Sequence, residues 1–170
     1  MAYKRVLSIQ DVSCVGQCFN TVALPIISAC GHECASIPSA VLSTHTGGFE
    51  GFTFKDLTSE IPKICKHWMK EGIQFDAIYT GYLGNVKQIR HVAKIMENCL
   101  VPGGPKIVDP AMADNGKLYT GFDEEYVEGM KWLCTQADII LPNITEACLL
   151  TGTEYQEEYD QDFINELLGQ

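Results

Sequence analysis

The sequence predicts an α/β fold with a mostly parallel sheet, helices on both faces and a small flap. Three observations carry this reading. Short apolar runs alternate with longer amphipathic ones, the connections between them are brief, and most amphipathic runs start at a capping residue or stop at a glycine.

Taken in order, RVLSI (5–9) reads as a buried strand. Residues 17–30 read as a helix that Gly31 stops, and Pro25 inside it predicts a kink or a late start. ECASIPS (33–39) reads as a second strand. The stretch 43–55, STHTGGFEGFTFK, breaks the alternation; it suits a hairpin or flap over a site, or a surface loop. Residues 58–71 form a helix with Thr58 or Ser59 as N-cap, Ile61, Ile64, Cys65 and Trp68 on one face, and Gly72 at its end. FDAIYT (75–80) is a strand, and 85–99 is a helix capped by Asn85. PKIVD (105–109) is a strand, 123–135 a helix and ADIIL (137–141) a strand. Asn143 caps a further helix, ITEACLLTG. Residues 160–170 begin another amphipathic helix where the chain stops, although an α/β sheet would normally continue. The expectation is one domain over residues 1–170, truncated at its C-terminus.

The chain has 170 residues, enough for one core, and a net charge of −10. Such acidity argues against nucleic acid or an anionic membrane as partner, since phosphates are repelled overall. A small anionic ligand in a local pocket stays compatible. No apolar stretch reaches the roughly 18 residues of a membrane span. MAYKRVLSIQ lacks a signal-peptide core, so the expected location is cytoplasmic. The eight cysteines include no CxxC pair and read as reduced core thiols. Cys14/Cys18 and Cys30/Cys34 have a spacing loosely compatible with zinc, but His32, His45, His67 and His91 do not cluster with them.

In open parallel sheets, ligands bind beyond the C-terminal ends of the strands. There the first strand delivers Gln10 and Asp11, and FDAIY delivers Thr80, Gly81, Tyr82, Leu83 and Gly84. PKIV delivers Asp109, then Asp114, and ADIIL delivers Asn143 and Glu146. Carboxylates in that position suit Mg2+, a hard ion that takes oxygen ligands and keeps waters, together with a phosphate-bearing cosubstrate. Each residue also has a plainer reading. Asp109 can simply end a strand, Asp114-Asn115-Gly116 is a turn signal, and Asn143 with Glu146 makes a capping box.

LSIQD (7–11), STHTG (43–47), TGYLG (80–84), VDPAMADNGKLY (108–119) and LPNITEA (141–147) together resemble pyridoxal kinases of the ribokinase-like superfamily. The resemblance implies ATP-dependent phosphorylation of the 5′-hydroxyl of pyridoxal, pyridoxine or pyridoxamine. It implies substrate contacts at Asp11, Thr46 and Tyr82, and ATP or phosphate contacts at Asp114, Asn143 and Glu146. Mg2+ would lie near Asp109 and Glu146, and a monovalent cation and a homodimer belong to the same expectation. Asp11 departs from the serine usual after SIQ; a carboxylate there could meet a protonated ring nitrogen or a ring hydroxyl. The family's glycine-rich anion hole and catalytic aspartate have no counterpart in 1–170, so the chain by itself is expected to be inactive. The alternatives are a hydroxymethylpyrimidine kinase, against which SIQD argues, and a non-catalytic binding fragment.

Overall fold

The computed structural model describes residues 3–170. Its first half contains β1 (Arg5–Ser13), α1 (Asn20–Ala29), β2 (Glu33–Leu42), β3 (Phe54–Asp56), α2 (Ile61–Glu71), β4 (Ala77–Thr80) and α3 (Val86–Cys99). The second half contains β5 (Lys106–Val108), β6 (Ala113–Asp114), β7 (Lys117–Leu118), α4 (Glu124–Cys134), β8 (Ile139–Ile140), α5 (Ile144–Thr151) and α6 (Gln161–Leu168). Six strands make one sheet in the order β3-β2-β1-β4-β5-β8, with only β3 antiparallel. β6 and β7 form a separate hairpin, turned by Asn115 and Gly116 at φ of 50° and 74°. Two successive positive φ values are what a two-residue primed turn requires, and Asn-Gly is the pair that tolerates them best.

Side chains of β1 alternate between two environments. Leu7 and Ile9 are fully buried in the apolar core with Ile37 and Ile78 from neighbouring strands, Ile61 from α2, Ile89 and Val92 from α3, and Met130 from α4. Ser8 and Gln10 face α1 and meet a polar network instead. Ser8 Oγ donates to Asn20 Oδ1 at 2.7 Å, Gln10 Nε2 to Ser8 Oγ at 2.8 Å, and Asn20 Nδ2 to the Gln10 carbonyl at 2.6 Å. Buried polar groups persist when they are paired in this way. The Gln10 side chain also explains Gly81: a Cβ at that position would lie 2.5 Å from Gln10 Oε1.

Several boundaries refine or differ from expectation. β1 and β2 run on to Ser13 and Leu42 because they keep pairing past a bulge, where Asp11 faces both Ser39 and Ala40 between the Gln10–Pro38 and Val12–Val41 pairs. α1 shows the late start that was one of the two expected outcomes, at Asn20, and it accommodates Pro25 inside it. α2 is preceded by Glu60 and not by a side-chain cap from Thr58 or Ser59. Thr58 is instead bound through its N–H and hydroxyl to Asp56, at 2.8 Å each. Cys65, Cys99 and Cys148 are buried as core thiols, but Cys14 and Cys30 are exposed, contrary to a uniformly buried set; all eight cysteines are free. Among the described residues no helix is long and apolar enough to cross a membrane.

Asn20→Ala removes two buried hydrogen bonds and leaves their partners unpaired. The expected loss is about 2 kcal/mol, read as a lower midpoint in urea with an unchanged slope. A midpoint equal to that of the parent protein would show that the network contributes nothing.

Candidate functional site

The strand ends bring two clusters of carboxylates to one edge of the sheet. The first lies at the β1 bulge. Asp11 is only 3% exposed, and Ser13 Oγ donates to its Oδ2 at 3.2 Å. Its Oδ1 is buried without a partner. Burial pushes the Asp11 carboxyl up to about 6 against the opposing Ser13 bond. Tyr82 lies close enough to feel this charge: burial first, then Asp11 and Asp56, push its phenol up to about 12. The backbone carbonyl of Tyr82 accepts from Ser39 Oγ at 2.7 Å, which ties the turn after β4 to the bulge in β2. Asp11 and Tyr82 therefore lie on the same side of the sheet within electrostatic reach of one another.

Thr46 does not join them. It is exposed on the segment linking β2 to β3, and among the described residues it makes no hydrogen bond. That segment is a hairpin loop closed by Ser43 N–H to the Thr53 carbonyl at 3.1 Å and held to the β1 side by His45 N–H to the Val15 carbonyl at 3.2 Å. The threonine of STHTG with a buried, unpartnered hydroxyl is Thr44.

The second cluster follows β5. Asp109 carries a carboxyl pushed up to about 6 by burial and by Glu146, with the neighbouring Tyr79 hydroxyl working the other way. Glu146 is buried at the first turn of α5. Its Oε1 accepts from Met112 N–H at 3.0 Å and Ala113 N–H at 3.5 Å, and its Oε2 from Asn143 N–H at 2.9 Å. Burial raises its carboxyl even so. Asn143 caps α5 through Oδ1 to Glu146 N–H at 2.9 Å and donates Nδ2 to the Ala113 carbonyl at 2.8 Å. The plain capping-box reading thus holds in full, and the same bonds fasten the loop after Asp109 to the start of α5. Asp114 is exposed and closes its own turn on Asn115, at 2.9 and 3.0 Å.

Of the residues expected near metal and phosphate, Asp109 and Glu146 come together, Asn143 holds the frame, and Asp114 stays on the hairpin. Among the described residues no three of His, Cys, Asp and Glu converge as a metal site. A buried carboxylate whose proton affinity is raised by a second one, as Asp109 is by Glu146, fits a divalent cation that completes its shell with waters and phosphate oxygens. Asp109 is the freer ligand of the two. Glu146 has three backbone donors on its oxygens, which leaves it less free than Asp109 to bind a cation directly.

Sequence reasoning missed the aromatic row beside Tyr82. Phe122 stacks on Tyr82 with centroids 5.5 Å apart, and Tyr126 stacks on Phe122 at 3.7 Å. Tyr126 OH donates to the Leu83 carbonyl at 2.7 Å, fixing the row to the turn after β4. Phe122 sits in a loop without periodicity, so no local pattern marks it. The network that anchors Asp56 was also missed: Asn85 Nδ2 reaches Asp56 Oδ2 at 3.0 Å and Thr58 Oγ1 at 2.8 Å.

The model of the phosphomethylpyrimidine kinase family matches residues 24–168. The chain belongs to that family. Members of the phosphomethylpyrimidine kinase family and their relatives share the fold over nearly all of this chain. A Bacteroides thetaiotaomicron protein provisionally assigned as a phosphomethylpyrimidine kinase, crystallised with pyridoxal, is 42% identical with a TM-score of 0.92 over 99% of this chain and 58% of its own. The pyridoxal kinase of Lactobacillus plantarum is 37% identical with a TM-score of 0.89, over 98% of this chain and 59% of its own. The Arabidopsis thaliana pyridoxal kinase is 29% identical over 92% of this chain and 51% of its own length. The chain spans about half the length of the curated relatives it matches. The fold is ribokinase-like, and the sheet runs as expected from the alternation of strands and helices.

Asp11 has a measurable pH signature. Its carboxyl is raised from 3.8 to about 6, so the folded protein keeps a proton that the unfolded chain has lost in that window. Stability from this group is therefore present below pH about 4 and lost as pH rises through about 6. Asp11→Asn should gain about 2 kcal/mol relative to the parent between those limits, measured by denaturation at several pH values. A difference that does not vary with pH would mean that Asp11 is solvated.

Proposed function

We propose that these residues form the substrate-binding and metal-binding part of an ATP-dependent kinase that phosphorylates the 5′-hydroxyl of a B6 vitamer. The observation that carries this is the unpartnered Oδ1 of Asp11, buried near the strand ends within electrostatic reach of Tyr82. A buried carboxylate oxygen without a partner is costly unless a ligand supplies one. A pyridine ring carrying an N–H+ or a hydroxyl supplies it, and above pH about 6 Asp11 is ionised and accepts that bond. Tyr82 covers the ring. The 42% identity to a protein crystallised with pyridoxal supports the same substrate class.

In the reaction, the vitamer's hydroxyl oxygen bonds to the γ-phosphorus of ATP, the β–γ bridging P–O bond breaks and ADP leaves. The hydroxyl proton passes to a base, and residues 1–170 contain no glycine-rich element followed by an aspartate of the kind the reaction uses in similar kinases. Mg2+ supplies neutralisation of the phosphate charge. Asp109 would hold it, and Glu146 with Asn143 would keep the Asp109 loop in place. Phosphoryl transfer depends chiefly on such positioning and charge stabilisation. A homodimer, a cytoplasmic location and a role for Thr46 at the substrate belong to the same reading, Thr46 through its place on the β2–β3 loop.

The family's description, phosphomethylpyrimidine kinase, supports a second reading in which the substrate is a pyrimidine such as hydroxymethylpyrimidine. An ATP-consumption assay of the intact protein with pyridoxal, pyridoxine, pyridoxamine and hydroxymethylpyrimidine separates the two. Turnover of a vitamer is expected; turnover of the pyrimidine alone would replace this reading by the second.

Asp109→Asn should lower kcat by about a hundredfold while the Kd for pyridoxal stays unchanged, because the affected partner is metal and phosphate. An unaltered kcat would remove Asp109 from the site. Tyr82→Ala should raise the KM for the vitamer about tenfold, and a change confined to the KM for ATP would contradict its place.

A further inference from the structure

The backbone at Phe19 has φ 48° and ψ −121°. Thr21 N–H donates to the Cys18 carbonyl at 3.2 Å, so residues 18–21 make a turn with Phe19 at its second position. These angles are those of a type II′ turn, whose second position normally takes glycine because a Cβ is strained there. A bulky aromatic residue at a glycine position is held only where the surroundings over-determine it. They do so here. Asn20 is locked by Ser8 and by the Gln10 carbonyl, and Thr21 Oγ1 donates to the Cys18 carbonyl at 2.8 Å and to the Gly16 carbonyl at 3.2 Å. The chain therefore enters and leaves Phe19 along fixed paths.

What the strained position delivers is a ring at the site. Phe19 lies 6.1 Å from Tyr82, inclined by 52°, at the end of the row that continues through Phe122 and Tyr126. Both Phe19 and Tyr82 keep part of their surface open, and the charge of Asp11, whose Oδ1 is unpartnered, reaches Tyr82. Only the far side of the row is packed away, since Tyr126 is buried.

We propose that Phe19 is a specificity-determining residue, the second aromatic wall of a pocket that takes a planar heteroaromatic alcohol against Tyr82. Two inclined rings accept a flat ring by stacking on one and meeting the edge of the other, both favourable aromatic geometries. Non-aromatic alcohols such as sugars gain neither contact. The strain at Phe19 is retained because glycine, which would relieve it, has no ring to offer. The proposal rests on the functional reading above.

Three variants of the intact protein test it. Phe19→Ala and Phe19→Gly both remove the ring, and Phe19→Tyr keeps it. The first two should raise the KM for the vitamer about tenfold, leaving kcat and the KM for ATP unchanged, while Phe19→Tyr keeps the parent KM. Phe19→Gly should melt several degrees above Phe19→Ala, because glycine alone relieves the turn. An unchanged KM in both ring-less variants would overturn the proposal, as would a KM that recovers in Phe19→Gly along with stability, the mark of a purely structural residue. If the parent protein turns over no vitamer and no pyrimidine, the functional reading fails and takes this proposal with it. A parent that turns over a vitamer alongside ring-less variants of parent KM defeats the Phe19 assignment alone.

Discussion

β1 is hydrogen-bonded on both sides, by β2 over most of its length and by β4 over Val6–Ile9, and the rest of the structure depends on that double pairing. A central parallel strand cannot slide, because a one-residue slip would exchange its apolar and polar faces. Leu7 and Ile9 would then meet α1, and Ser8 and Gln10 would meet the apolar core. With the register held, the strand ends fall at one edge and their loops open to the same side. The bulge opposite Asp11 then adds a residue on β2 alone, so Ser39 can reach the Tyr82 carbonyl while Asp11 stays buried.

The edge so formed concentrates negative charge in a chain that is already acidic overall. Asp11, Asp109 and Glu146 all resist ionisation, with burial as the leading cause in each. They differ in what compensates them. Glu146 is compensated by three backbone N–H donors and serves the fold. Asp109 faces Glu146, and its shortage of positive charge fits a cation. Asp11 has one oxygen that lacks a hydrogen-bond partner. Three similar carboxylates thus differ in how far they are compensated because their surroundings differ.

The order of strands and helices was readable because each element carries its own period and a start or stop signal, as the cap Asn85 and the stops Gly31 and Gly72 illustrate. Asn143 and Glu146 were readable as a capping box from their spacing alone. Asp109 and Asp11 were readable as strand-end carboxylates, but their burial depends on what packs over them. Asp114 could not be separated from Asp109 in sequence; the primed turn that carries it outward depends on Asn115 and Gly116 both taking positive φ. Phe19 was invisible for a sharper reason. Local preference would place glycine there, and only contacts made by Asn20 and Tyr82, 62 positions apart, hold the aromatic residue.

β3 is three residues long, pairs with β2 alone and is exposed throughout. Local opening free energy scales with the apolar surface and protected bonds that opening disrupts, and β3 has few of either. The sheet therefore has two mechanical regimes. Amides in β1 exchange with solvent only when the whole domain opens, whereas those of Phe54–Asp56 exchange through fraying of a single edge. The strands carrying Asp11 and Asp109 therefore keep their register while that edge frays, and the bonds of Asp56 to Thr58 and Asn85 set how far the fraying runs.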